Sequence, residues 1–139
     1  MKINLPDQAK LLRNFARCHD WEERYLYLIE LGEKLPALTE MQRVAQHKIS
    51  GCQSQVWIAM QQDDEGRVWF AGDSDAAIVK GLVALVIALY QGKLPDEIRA
   101  LDIADIFNQL ALSVHLTPSR TQGLNAMVRT ILQNTQQMR

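Results

Sequence analysis

The spacing of apolar residues changes along the chain from helical to alternating and back to helical. In the first third, apolar residues recur at helical intervals over 11–18, and a second helical pattern follows Asp20 and ends before Leu35. Asp20 with Glu23 three residues later makes a variant capping box for this second helix. The pattern predicts a broad buried face for the helix, which includes Leu26, Ile29 and Leu31.

The middle of the chain predicts a β-hairpin followed by a buried helix. Over 56–60 a period of two places Val56, Ile58 and Met60 on one face of a strand and Trp57 and Ala59 on the other. Residues 68–71 form a second strand, and the polar segment 62–66 supplies the turn. The helix expected over 76–90 is apolar on nearly every side, and Asp75 is placed to cap it.

Two further helices are expected in the last third. Asp102 with Asp105 opens a short one that ends at Leu110 or Leu112, and Thr117-Pro118 opens the last. The sum is an α+β fold, with a small antiparallel sheet packed against several helices on one side. The last helix carries the apolar residues Leu124, Val128, Ile131 and Leu132.

Composition and charge narrow the function classes. With 139 residues, 47% hydrophobic and 22% charged, the chain predicts one domain over 1–139. A net charge of -1 gives no global attraction to nucleic acid or to an anionic membrane. The most apolar run, 78–89, is interrupted and too short to span a bilayer, and the first residues lack a secretory signal pattern. We therefore expect a cytoplasmic protein that contacts neither membrane nor nucleic acid.

The two cysteines, Cys18 and Cys52, cannot form a disulfide framework. Cys18 falls on the apolar face of the first predicted helix, which favours a structural role. Cys52 stands in a loop directly before the first strand, where functional residues are common. It is either a small apolar filler or a nucleophile.

The surroundings of Cys52 favour the nucleophile. No Asp or Glu occurs over 41–62, whereas Arg43 and Lys48 are nearby, and such a positive bias lowers a thiol pKa. Gly51 permits a backbone conformation closed to other residues, and Gln53 and Ser54 can donate hydrogen bonds to a sulfur anion.

His47 offers two alternative chemistries for Cys52. It is a candidate base for a Cys/His hydrolase, and with Asp75 it is a candidate member of a metal site. Both signals are weak, because neither spacing is specific.

Arg120 lies in the first turn of the last predicted helix, where a cation opposes the helix dipole. Stability of the helix alone does not account for an arginine there, which favours a partner for its side chain. Two candidates are open: an ion pair with Asp75 that joins two loops, or the carboxylate of a bound partner or substrate.

Three motifs together carry a resemblance: GCQSQVW at 51–57, GDSDAAIVKG at 72–81 and LTPSR at 116–120, with Gly123 following. The sequence resembles the SufE/CsdE family of sulfur acceptor proteins. The resemblance implies that Cys52 accepts persulfide sulfur from a PLP-dependent cysteine desulfurase of the SufS or CsdA type. It also implies that Asp75 and Arg120 lie beside the cysteine loop.

The resemblance further implies a carrier that activates the desulfurase and is not a free-standing enzyme. The sulfur would pass to iron-sulfur cluster assembly, for example to a SufBCD scaffold complex, with no cofactor or metal in the chain itself. A homodimer is compatible with the resemblance. We expect the free protein to shield Cys52 in an apolar cavity near Trp57 and the central helix.

A metal or Fe-S scaffold of the IscU type is the alternative, since its fold is similar. Such a scaffold needs several converging ligands, and this loop offers one cysteine.

Overall fold

The computed structural model describes residues 5–138 and has an α+β architecture, as predicted. In that range a two-stranded antiparallel sheet packs against the central helix of the chain, and the remaining helices complete the core. A 3₁₀ turn at Ala45–His47 precedes the sheet. The helices are α1 (Gln8–Arg17), α2 (Trp21–Glu33), α3 (Ala77–Tyr90), α4 (Pro95–Ala100), α5 (Ile103–Gln109), α6 (Leu112–His115) and α7 (Pro118–Thr135), and the strands are β1 (Val56–Gln62) and β2 (Val68–Ser74).

The predicted hairpin is confirmed, and its second strand is longer than expected. Val56 pairs with Ser74 at one end of the ladder and Gln62 pairs with Val68 at the turn, where Gly66 has a φ of 87°. The sequence analysis placed the second strand over 68–71 only, whereas β2 continues through Gly72 to Ser74. Gly72 lies under α3, since a Cβ there would be 2.6 Å from the Val83 Cγ1 atom. Glycine therefore allows helix and strand to approach closely.

Two glycines also set the contact between α2 and α3. A Cβ on Gly81 would lie 2.2 Å from the Leu28 carbonyl oxygen, and one on Gly32 would lie 2.8 Å from the Gly81 nitrogen. This crossing turns Leu28 and Gly32 toward α3. Leu26 consequently faces solvent with 55% of its surface exposed, so the expected broad buried face was wrong for that residue.

Side-chain caps begin three of the helices as predicted. Asp20 accepts from the Glu23 amide at 2.9 Å, Asp102 from the Asp105 amide at 3.1 Å and Thr117 from the Arg120 amide at 3.3 Å. The Glu23 carboxylate accepts from the amide of His19, one residue before the cap.

The expected Asp75 cap of α3 was wrong. The helix begins at Ala77, its N-cap Ala76 has no side-chain cap bond, and Asp75 faces the neighbouring loop. The short helices α4 and α6 were also missed, because each is less than two turns long and shows no periodicity.

Gln91 covers the outer edge of β2 with its side chain. Its carboxamide oxygen accepts from the Phe70 amide at 2.7 Å, and its nitrogen donates to the Phe70 carbonyl at 3.1 Å. Next to it, the Val68 amide donates to the Lys93 carbonyl at 2.8 Å. The carboxamide thus takes the place of a backbone peptide group along this edge.

Candidate functional site

Cys52 lies on a six-residue loop, 50–55, closed by hydrogen bonds at its base. The Ile49 amide donates to the Val56 carbonyl at 2.8 Å, and Lys48 bridges to Trp57. Gly51 has a φ of 92°, which confirms that this position needs glycine. Backbone pairing thus joins the base of the loop to the start of β1.

The thiol of Cys52 points into a cavity of about 310 Å³ between the loop, the start of α3 and the first half of α7. Its Sγ donates to the carbonyl oxygen of Gly123 at 3.6 Å. Trp57, near which we expected the cavity, does not line it. The walls are apolar at Ala76, Val79 and Met127 and polar at Thr117, Ser119 and Arg120.

Burial raises the pKa of the Cys52 thiol above its usual value. The expected lowering by nearby cations was wrong. Arg43 is bound elsewhere: it donates to the buried Asp73 carboxylate and stacks 4.6 Å above the Trp57 ring. Burial in this loop position therefore favours the neutral thiol over the thiolate.

Asp75 ties the cysteine loop to the end of β2. Its carboxylate accepts from the Gln55 amide at 3.0 Å, and its own amide donates to the Gln55 carbonyl at 3.2 Å. Arg120 instead lines the cavity, with its guanidinium 5.8 Å from the Tyr25 ring centre. In the described structure no ion pair joins Asp75 to Arg120, so that candidate pairing was wrong.

Gln53 and Ser54 line the Cys52 cavity as neighbours of the sulfur. Among the described residues neither donates to the Sγ atom, whose own S–H donates to the Gly123 carbonyl. Their expected role toward a sulfur anion remains a prediction.

His47 lies apart from the Cys52 cavity. Its Nδ1 is 2.8 Å from the Gln42 carbonyl, and its ring lines a separate groove on the open face of the hairpin. The Cys/His arrangement for hydrolysis is therefore not assembled in this structure. No group of three or more His, Cys, Asp or Glu side chains is placed to hold a metal among the described residues.

Cys18 follows the last residue of α1, and its thiol donates to the Asn14 carbonyl at 3.5 Å. It is half-buried, and burial raises its pKa, with the nearby Glu23 carboxylate adding to the effect. These contacts agree with a structural role.

Two features of the site escaped the sequence analysis. Gly123 was noted as part of a motif but not as the residue beside the sulfur; a glycine inside a helical pattern was the available signal. The hydrogen bond from Arg43 to Asp73 joins positions thirty residues apart, and no local sequence pattern predicts it.

The described chain contains no helix long and apolar enough to cross a membrane. The fold and the site define an α+β domain that presents one loop cysteine over a cavity.

The chain belongs to the SufE family, because the family model described as "SufE: Fe-S metabolism associated domain" matches residues 9–135. This places the protein in Fe-S metabolism and confirms the resemblance drawn from the motifs. Among solved structures, the chain is similar to a protein from Thermus thermophilus described as hypothetical. The two share 20% identity over 92% of each chain with a TM-score of 0.74, which shows a common fold.

Proposed function

We propose that this protein accepts sulfane sulfur on Cys52 from the cysteine persulfide of a PLP-dependent cysteine desulfurase, of the SufS or CsdA type. It then carries the sulfur to iron-sulfur cluster assembly, with a SufBCD-type scaffold as recipient. The observation that carries this proposal is the position of the Cys52 thiol, half-buried over a cavity in a SufE-family domain.

The transfer needs only one thiolate in this chain. The Cys52 thiolate attacks the outer sulfur of the donor persulfide, a new S–S bond forms, and the S–S bond of the donor breaks. The donor cysteine leaves as a thiolate and takes up a proton. Cys52 then carries the persulfide, and no external oxidant or reductant is consumed. The protein is in this sense a carrier and not a free-standing enzyme.

The loop position of Cys52 in the free protein suits storage better than attack. The thiol is turned inward onto Gly123, and burial raises its pKa, so both access and thiolate fraction are reduced. Docking of the desulfurase would swing the loop outward and expose the sulfur to the donor. The same inward position would afterwards protect the persulfide from small thiols.

Asp75 and Arg120 have separate roles in this proposal. Asp75 holds the C-terminal side of the loop through Gln55, and thereby sets how readily the loop opens. Arg120 places a cation at the cavity wall, where it would face the persulfide anion or a carboxylate of the docked desulfurase. Gly51, Gln53 and Ser54 shape the loop that moves. Action in the cytoplasm and assembly as a homodimer belong to the same proposal.

The test is intact-protein mass spectrometry without reductant, after incubation with a PLP-dependent cysteine desulfurase and free cysteine. The wild type should gain whole sulfur atoms, and Cys52→Ser should gain none. Cys18→Ser is the matched control, since it removes the other thiol and should behave like the wild type. Sulfur on Cys52→Ser but not on Cys18→Ser would contradict the assignment.

A further inference from the structure

The cavity beside Cys52 is larger than one sulfur atom requires. Its volume of about 310 Å³ compares with roughly 30 Å³ for one water molecule and falls at the lower end of the range for small-molecule sites, roughly 300–1,000 Å³. Gln53 and Thr117, which line it, are exposed, so the cavity opens to solvent. A small solute can therefore reach the inward-facing thiol without movement of the loop.

The lining of this cavity favours an anion. Among the described residues that line it there is no Asp or Glu, and the charged side chain is that of Arg120. The hydroxyl groups of Ser54, Thr117 and Ser119 and the side-chain amide of Gln53 can also donate hydrogen bonds. A guanidinium with further donors around it suits the binding of an oxyanion.

Arg120 has no acidic partner in the described part of the chain. None of the ion pairs within residues 5–138 includes it, and its guanidinium lies 5.8 Å from the centre of the Tyr25 ring. It also stands in the first turn of α7, where the helix dipole disfavours a cation. An anion in the cavity would pair with the guanidinium and lie near the positive end of that dipole.

We propose that the cavity binds thiosulfate and that Cys52 takes up its outer sulfur, so that a small oxyanion is a second sulfur donor besides the desulfurase. The thiol first releases its proton to water. The Cys52 thiolate then attacks the outer sulfur, a new S–S bond forms, and the S–S bond of thiosulfate breaks. Sulfite leaves with the electron pair of that bond, Cys52 carries a persulfide, and no external oxidant or reductant is consumed. The role of Cys52 as acceptor rests on the proposed function, whereas the anion site rests on Arg120 and the cavity.

The first experiment measures sulfur uptake from thiosulfate in the absence of a desulfurase. Sulfur on Cys52 and on Cys18 is followed by peptide mass spectrometry without reductant, and released sulfite is measured in parallel. The initial rate at Cys52 should saturate with thiosulfate concentration and exceed the rate at Cys18, which does not line the cavity. In denaturant this preference should vanish. Equal rates at the two cysteines in the native protein would overturn the proposal.

Arg120→Gln removes the cation and keeps a side chain with hydrogen-bond donors. Its rate of sulfur uptake from thiosulfate should fall by about tenfold or more, the usual effect of losing a hydrogen bond to a charged group. Arg129→Gln is the matched control, because it makes the same change at an exposed position of α7 outside the cavity. Its rate should equal that of the wild type, and equal rates for the two variants would overturn the proposal.

Sulfate tests the anion site in the wild type without any sulfur transfer, because it has the charge and shape of thiosulfate but no sulfane sulfur. It should slow the alkylation of Cys52 by iodoacetamide more than chloride does at the same ionic strength, and leave the rate at Cys18 unchanged. In Arg120→Gln this protection should vanish. Equal effects of sulfate and chloride on the wild type would show that the cavity does not bind such an anion.

Loading by the desulfurase separates this proposal from the proposed function. Wild-type protein that gains sulfur from the desulfurase but not from thiosulfate would refute the small-molecule donor alone. Wild-type protein that gains sulfur from thiosulfate but not from the desulfurase would refute the protein donor and support the site described here.

Discussion

Arg43 and Asp73 join the long segment before the cysteine loop to the end of β2. Arg43 donates to one carboxylate oxygen of Asp73, and the other oxygen lies 3.4 Å from the Lys80 Nζ atom. Asp73 is buried and pairs across the sheet with Trp57, on whose ring Arg43 stacks. Asp75, two residues further along, holds Gln55. The Arg43–Asp73 pair thus stabilises the end of β2 that is hydrogen-bonded to the cysteine loop.

Loss of the Asp73 carboxylate should cost more stability than loss of Arg43. Asp73→Asn weakens bonds to two cations, whereas Arg43→Gln leaves Lys80 beside the carboxylate and removes a side chain that is 45% exposed. We expect about 2 kcal/mol for Asp73→Asn and about 1 kcal/mol for Arg43→Gln, by urea denaturation. The double variant should show coupling between the two changes. Arg129→Gln, at an exposed position, is the control for charge, and strict additivity would contradict a direct interaction.

The Asp75 carboxylate should restrain the loop through one hydrogen bond. Asp75→Asn keeps a side-chain oxygen that can accept from the Gln55 amide, whereas Asp75→Ala loses it. We expect Cys52 alkylation to rise by about threefold in Asp75→Ala and to change little in Asp75→Asn. Because Asp75 is exposed, either variant should lose less than about 1 kcal/mol of stability. A fast Asp75→Asn variant would mean that charge, and not the hydrogen bond, holds the loop.

Asp75 and Arg120 should act independently, since no ion pair joins them in the described structure. The effects of Asp75→Ala and Arg120→Ala on sulfur acceptance should therefore multiply in the double variant. Rates of persulfide transfer from the desulfurase, in wild type, both single variants and the double, measure this. A double variant no worse than the poorer single one would restore the pairing that the sequence suggested.

The pH dependence of Cys52 should differ between folded and unfolded chains. Burial raises the thiol pKa in the folded state, so the thiolate should form at higher pH there than in denaturant. Alkylation of Cys52 followed against pH should accordingly show a more alkaline midpoint in native protein. A native midpoint below that of the denatured chain would show that the cations near the loop outweigh burial.

Tyr90 should make the protein sensitive to alkali. Burial raises its pKa to about 12, and its hydroxyl has no hydrogen-bond partner in the described structure. The unfolded chain releases this proton near pH 10, so the stability present below about pH 10 is lost as the pH rises toward 12. The loss should approach about 2 kcal/mol.

Tyr90→Phe tests this assignment, because it removes the hydroxyl and keeps the ring in the core. At neutral pH the variant should be as stable as the wild type or slightly more stable, since an unpaired buried hydroxyl disappears. Urea denaturation at neutral pH and at about pH 11 should show a smaller alkaline loss for the variant. An equal loss in both proteins would assign the sensitivity to other groups.

The hairpin and the capped helices were predictable from sequence because their signals are local. Alternation over 56–60 and the caps Asp20, Asp102 and Thr117 depend on residues a few positions apart. The motif at 51–57 likewise marked Cys52 as the candidate nucleophile.

The thiol environment could not be predicted, because it depends on contacts between distant segments. Gly123 reaches Cys52 across seventy-one positions, and Arg43 reaches Asp73 across thirty. Arg43 is close to Cys52 in sequence, but in the folded chain its guanidinium binds the Asp73 carboxylate. Likewise the local sequence predicts that Asp75 caps α3, whereas in the structure its carboxylate accepts a hydrogen bond from the Gln55 amide.

The carboxamide of Gln91 has a consequence for the protein at high concentration. An open strand edge is a template on which the strands of another molecule can add, which leads to aggregation. At Phe70 that template is occupied by a side chain of the same molecule, and at Val68 by the backbone of Lys93. A two-stranded sheet can therefore remain small along this edge without recruiting a third strand from a neighbouring molecule.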